Sequence, residues 1–378
     1  MPNRSVTALL TAVMAISMAQ IFLVGALGPL LVTQADVPRA VLGWTSTAGF
    51  GVAALLSVGA GPWVERLGAR RSIVALSLLV ALALTLIGAA AGTPMLLAAL
   101  ALGGVPQALA NPATNKIIVT SVEPVDRGAV TGWKQSGVQL GTFAAGLPLA
   151  ALAGWLGWRG VMWTTAGIAV AVAVWAARSL PADPVPGNPG RAGPPSGRIG
   201  RLAGYSFLLG CGIAAVNTYL ALFGAQQLDL APVTAAWLVA VLGVAGIAGR
   251  IGWSRRADRS GRAAAYLTLL AAGACVAALL VGTAAWAPGA AWAVWTGAAA
   301  LGAFAVAANA VTMVVVIGRG GSGRDSALVS AGFFAGFAAG PPLFGALIEL
   351  TGYGSAWLLV AVEFALAAVV ALPLRRRP

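Results

Sequence analysis

The chain has 378 residues, 59% hydrophobic and 9% charged, with a formal net charge of +13 and no histidine. So small a charged fraction, against about 25% in ordinary soluble domains, excludes a water-soluble fold, and the missing histidine removes the commonest general base and metal ligand, so most enzyme classes lose ground. The basic residues fall in small clusters between apolar runs of about 20 residues or more, a pattern that meets lipid headgroups and not nucleic acid.

Runs long enough to span a bilayer fall at 7–32, 40–63, 71–91, 94–120, 128–154 and 158–179, then at 201–227, 232–253, 263–285, 288–317, 326–349 and 355–374. Arg4 followed by apolar residues and Ser17-Met18-Ala19 imitates a signal peptide. The run continues to Leu31, however, longer than a secretory core, and reads as an uncleaved first membrane helix. Cys211 and Cys275 each lie inside a run and read as packing residues, not as a disulfide. Lysines and arginines crowd the termini and every second connection, Arg250 among them, and leave only Arg39 and Arg159 on the other side. That bias predicts a multi-pass protein of the cytoplasmic (cell) membrane with both termini in the cytoplasm. The Pro- and Gly-rich stretch from Pro181 predicts a linker over 181–200 that joins a bundle of residues 1–180 to one of residues 201–378.

The halves repeat. Gly61-Pro-Trp-Val-Glu65-Arg66-Leu-Gly68-Ala-Arg70-Arg71 returns as Asp258-Arg259-Ser-Gly261-Arg262, an offset of 258 − 65 = 193. Phe143-Ala-Ala-Gly146-Leu-Pro148 returns as Phe337-Ala-Ala-Gly340-Pro-Pro342 at 194, and Gly157-Trp158-Arg159 is matched by Gly352-Tyr353. The first motif reads as a tight hinge in which Glu65 meets the positive end of the next helix's dipole. It resembles the signature loop G-x-x-x-(D/E)-R-x-G-x-(R/K) of the major facilitator superfamily, with Glu65 for the commoner Asp, Ala69 for a basic residue and Trp63 for Leu. The likeness covers almost the whole chain. It implies an all-α membrane protein of twelve transmembrane helices in two pseudo-symmetric six-helix bundles, a secondary transporter working by alternating access. It also implies a gating role for Gly61, Glu65, Arg66, Gly68 and Arg70, and for Asp258, Arg259 and Gly261 in the second copy.

Polar residues inside apolar helices are costly and mark candidate transport paths. Gln107, Asn111 and Asn115 recur every four residues on one face, and the fifth helix carries Lys134, Gln135, Gln139 and Thr142. In the family the first, fourth, seventh and tenth helices line the cavity. The resemblance therefore marks Gln20, Asn111, Asn115, Asn217 and Asn309 as candidate substrate contacts, with Lys116, Lys134, Gln135, Gln139 and Tyr219 beside them. Hydrogen bonding between packed helices is the alternative role for each amide. Ala110-Asn111 is echoed by Ala308-Asn309 at 309 − 111 = 198, which departs from the 193 to 194 of the flanking repeats. Glu363, deep in the twelfth run, reads as a helix contact or a proton carrier.

Gly318-Arg-Gly320-Gly-Ser-Gly323 fits G-x-G-x-x-G but lacks the strand and helix of a dinucleotide fold. There is no Walker A sequence and no metal-spaced cysteine, so no cofactor, metal or catalytic residue is assigned. Two lysines against one buried carboxylate lean toward a small organic anion, and an inside-negative potential then calls for a coupled cation, with proton symport the favoured form. Efflux of amphipathic compounds by proton antiport is the alternative. Thr142 weakens it, standing where the family's drug antiporters carry the proline of G-x-x-x-G-P-x-x-G-G. A non-transporting receptor or assembly protein on the same scaffold is the reading from another class. The expected partners are a small solute, protons and lipid, with the chain a monomer.

Overall fold

In hydrocarbon no water is at hand for backbone N–H and C=O groups, so apolar runs of this length close their hydrogen bonds internally as helices. The structure, a computed structural model, describes residues 2–123, 126–183, 197–260, 263–287, 289–318 and 323–375. Among these residues twelve helical passages follow one another. The first, α1, is broken into Pro2–Ser17, Ala19–Ala26 and Gly28–Gln34. Then come α2 (Arg39–Leu67), α3 (Ala69–Gly88), α4 (Thr93–Ser121), α5 (Arg127–Gly146) and α6 (Pro148–Ser179). The second half holds α7 (Gly197–Gln227), α8 (Pro232–Ser260), α9 (Ala263–Gly282), α10 (Ala291–Leu301, then Ala307–Gly318 beyond a π-turn at Gly302–Val306), α11 (Gly323–Thr351) and α12 (Tyr353–Ala371).

Among the described residues ten helices are long and apolar enough to cross a membrane, and eleven if the bent α1 is one span. The twelfth is α5, whose Lys134, Gln135, Ser136, Gln139 and Thr142 dilute its apolar content. α1 bends by 51° at Met18. The Ser17 hydroxyl bonds back to the Met14 carbonyl at 2.9 Å, a local competition with the helix ladder that favours bending.

The corners repeat as the sequence does. Gly157 (φ 67) divides α6, so that residues 148–156 prolong the passage of α5, and Gly352 (φ 88) separates α11 from α12. Asp36 and Asp229, both at φ 51, turn the chain before α2 and α8 at an offset of 229 − 36 = 193. The offset of 198 between Asn111 and Asn309 also has a structural origin. Four residues (89–92) join α3 to α4, whereas eight (283–290) join α9 to α10, which moves the register from 194 to 198. Asn111 and Asn309 are therefore true equivalents, as are Thr114 and Thr312, whose hydroxyls bond back to Ala110 and Ala308 at 2.6 and 2.8 Å.

The two bundles meet most closely at the end away from the basic connections. Ser46 on α2 and Thr218 on α7 share a hydrogen bond of 3.0 Å, the Thr47 hydroxyl donates to the Ala338 carbonyl at 2.6 Å, and the Tyr219 hydroxyl to the Arg39 carbonyl at 2.9 Å. Gly43 packs so tightly that a Cβ there would lie 2.5 Å from the Pro341 carbonyl oxygen. Phe50 stacks into Phe334 and Phe337 on α11, with ring centroids 5.7 and 4.4 Å away.

The corner geometry makes a stability prediction. Gly352→Ala forces a side chain into the left-handed region and should cost about 1–2 kcal/mol, whereas Gly51→Ala, in open space within α2, should be neutral or gain about 0.5–1 kcal/mol. Thermal unfolding in detergent reads both; equal effects would contradict the corner's role.

Candidate functional site

The polar face of α4 and the polar start of α5 come together around Lys134. Its side chain is 0% exposed. The ammonium donates to Asn115 Oδ1 at 2.6 Å and to Asn111 Oδ1 at 3.3 Å, while the Gln135 amide donates to Asn111 Oδ1 at 3.0 Å. The four-residue spacing of the two asparagines sets their oxygens one turn apart on the same face, which is what lets one ammonium bridge both. Seven residues separate Lys134 from the start of α5 at Arg127, about 10 Å of helix.

A second cation reaches this cluster from the other bundle. Arg250, on α8, donates from Nη1 to the Gln135 carbonyl at 3.1 Å, and its buried Nε has no hydrogen-bond partner. Counted as a loop charge from the sequence, Arg250 lies ten residues inside the end of α8, about 15 Å of helix. The available signal was its position within the run 232–253, upstream of the loop arginines. Among the described residues neither cation has a carboxylate within 4.0 Å. Among the described residues these two cations, one from each bundle, are thus held by neutral amide groups alone.

The other candidates are placed elsewhere. Lys116 turns away from the cluster and pairs with Glu65 at 2.9 Å, tying the end of α4 to the α2–α3 hinge. That pairing corrects the expected role of Glu65. The anion at the start of α3 is instead Asp183, just past α6, whose Oδ1 and Oδ2 accept from the backbone N–H groups of Arg70 and Arg71 at 2.8 and 3.0 Å. Carboxylate capping of exposed helix N–H groups is favourable for the reason given for Glu65, but the acid comes from 113 residues further along the chain. The Arg70 guanidinium bonds the Ala177 carbonyl, Gly68 holds φ 91 at the reversal, Gly61 is half-buried and Arg66 exposed. In the second copy Arg259 is exposed in the last turn of α8, while the side chain of Asp258 and all of Gly261 lie outside the described residues, as do residues 184–196 of the expected linker.

Gln20 is 0% exposed and lies over Gly103, and neither its amide nor that of Gln107 has a hydrogen-bond partner. Gln139 packs against Gly246 of α8, and Asn217 bonds its own helix at the Ile213 carbonyl, 3.0 Å away. Tyr219 belongs to the seal between the bundles described above. Asn309 is half-buried, one turn past the π-turn of α10, with its Oδ1 unpartnered. Glu363 is 6% exposed beside Cys211 of α7, and its Oε2 has no partner.

Twelve helices in two equivalent bundles, with polar groups buried where the bundles meet, define a multi-pass membrane transporter. A family model of the Major Facilitator Superfamily matches residues 9–322, and the chain belongs to that superfamily of secondary transporters. Among solved structures, the crystal structure of a D-xylose-proton symporter superposes with a TM-score of 0.78 at 14% identity, covering 97% of each chain. No curated protein matches the chain in sequence.

The hydrogen bonds separate the two equivalent asparagines. Asn111→Leu leaves the donors of Lys134 and Gln135 short of an acceptor and should lower stability by about 1 kcal/mol or more. Asn309→Leu removes an oxygen with no partner and should leave stability unchanged or raised. Thermal unfolding of both variants checks this, and equal losses would contradict it.

Proposed function

We propose that the chain carries a small organic anion across the cytoplasmic membrane by alternating access, in symport with protons, and that Lys134 and Arg250 hold the anion between the bundles. The observation that carries this reading is a pair of cations, Lys134 buried and Arg250 half-buried, with no acid beside either among the described residues. Isolated charges are expensive in a low-dielectric interior, and a carboxylate arriving from solution would offset both at once. Asn111, Asn115 and Gln135 would orient it through their amides. Drawing an anion into a cell against 100 mV costs about 2.3 kcal/mol per charge, which a co-transported proton removes. The structural neighbour described as a proton symporter supports the coupling; its sugar cargo is neutral and does not account for the cations.

In this reading residues 1–180 and 201–378 form the rocking units, joined by 181–200 on the cytoplasmic side, where both termini also lie. Glu65 with Lys116, and Asp183 with the start of α3, hold the hinge, so these groups would govern switching and not affinity. Efflux of amphipathic compounds draws on the aromatic cluster of Phe50, Phe334 and Phe337, but that cluster is closed, with all three rings buried.

Proteoliposomes supplied with labelled short-chain mono- and dicarboxylates should accumulate at least one of them under an inward proton gradient. Lys134→Met and Arg250→Met should each weaken its binding about tenfold or more, the range for a lost hydrogen bond to a charged group. Binding unchanged in both variants would remove the anion reading. Separately, cysteines introduced near Arg191 and Arg376 in a variant lacking Cys211 and Cys275 should label only from the cytoplasm, and external labelling at either would overturn the topology.

A further inference from the structure

The two cations of the cluster differ in one chemical respect. A guanidinium stays protonated under all conditions a protein meets, whereas a lysine amine binds and releases a proton when its surroundings change. We infer that Lys134 is the proton-coupling site of the transporter, binding its proton together with the anion and releasing both together, while Arg250 remains a fixed charge. The inference rests on the anion reading above and adds to it the group that carries the proton.

The surroundings of Lys134 carry the argument. Its side chain is fully buried, and both partners of its ammonium are neutral asparagine oxygens. The helices packed against α5 are α1, α4, α6 and α8. Their charged residues are Arg4 on α1, Lys116 on α4, Arg159 and Arg178 on α6, and Arg250, Arg255, Arg256, Asp258 and Arg259 on α8. Lys116 is engaged by Glu65, 2.9 Å away. The one carboxylate in that set, Asp258, sits eight residues beyond Arg250 toward the end of α8, about 12 Å along the helix. Arg250, bonded to the carbonyl of the very next residue, adds like charge and not compensation.

Among the described residues an amine so placed has no counter-charge while the site is empty, and a buried group in that position avoids the cost by giving up its proton. An anion seated between Lys134 and Arg250 reverses the balance, because an opposite charge a few ångströms away favours the charged amine. Proton binding and anion binding then help each other through linkage. The step is balanced: the amine lone pair takes one proton from solution as one carboxylate binds, and on the other side both leave, restoring the neutral amine. One negative charge and one positive charge cross together.

The test measures proton uptake by purified protein in weakly buffered, mildly alkaline detergent solution on addition of sodium acetate, lactate or succinate, with thermal unfolding as a parallel readout of binding. Native protein should take up close to one proton per anion bound. Lys134→Arg should retain ligand-dependent stabilisation but take up none, and Lys134→Met should lose both. Glu363→Gln, which alters the other buried and incompletely partnered acid–base group, should behave as native. Proton uptake that survives in Lys134→Arg, or that disappears in Glu363→Gln, overturns the inference. If a carboxylate stabilises the native protein without proton uptake, the anion reading stands and the coupling assignment falls. If none of the three carboxylates binds, both fall.

Discussion

A charge placed in hydrocarbon must find a counter-charge, lose its proton or reach back to water, and among the described residues no acid supplies the first of these to Lys134 or Arg250. Lys134 is held by the carbonyl oxygens of Asn111 and Asn115, and Arg250 by the backbone of Gln135. Amide dipoles soften the penalty without cancelling it. The rest of the structure can be understood as a scaffold that brings these groups together. α4 supplies the acceptors, α5 the amine, and α8 the guanidinium from the opposite bundle. An arrangement of this kind is stable as a whole only because the surrounding helices over-determine it, and it is a reservoir of free energy that a ligand of the opposite sign would release.

Around that centre the molecule divides its work between its two ends. At the end remote from the basic connections the bundles are sealed by short side chains and bare backbone, with Ser46 against Thr218, Thr47 against the Ala338 carbonyl and Gly43 against Pro341. Such contacts have little to rearrange and suit a surface that opens and closes as a unit. At the other end charged groups bind hinge to helix: Glu65 to Lys116, and Asp183 to the first N–H groups of α3. These bonds lie within the first bundle and its exit, so they stiffen the hinge on which that bundle would turn.

Much of the fold is legible in the sequence because bilayer thickness imposes run length and duplication imposes register. Gly68, Gly157 and Gly352, each visible as punctuation in a repeated motif, are the three positive-φ glycines among the described residues. The offset of 198 at Asn309 is explained by four additional residues before α10, a detail that no local motif carries. The site was legible as to residue type but not as to pairing. Helical spacing puts Asn111 and Asn115 on one face, yet nothing in the pattern says that both oxygens meet Lys134, or that Lys116, one residue past Asn115, points instead to Glu65. Arg250 was obscured by its neighbours Arg255 and Arg256, because the apolar run ends at 253 whereas α8 continues to Ser260, so that a residue three positions from the end of the run lies ten inside the helix. Asp183 was hidden by distance along the chain, since only the folded molecule brings the end of α6 to the start of α3.

The central claim is that Lys134 and Arg250 are kept for an anion and at a cost to the empty protein. The most direct measurement is the ligand-free thermal unfolding of the double variant Lys134→Met/Arg250→Met beside the native chain, in the same detergent. Replacing a buried amine that folds at the cost of its charge or of its proton, and a half-buried guanidinium with no acid beside it among the described residues, by apolar side chains of similar length should raise the unfolding temperature of the empty protein, by an amount equivalent to about 1–4 kcal/mol. An unfolding temperature that falls instead would mean that the two cations hold the bundles together, and would contradict the claim that they wait for a ligand.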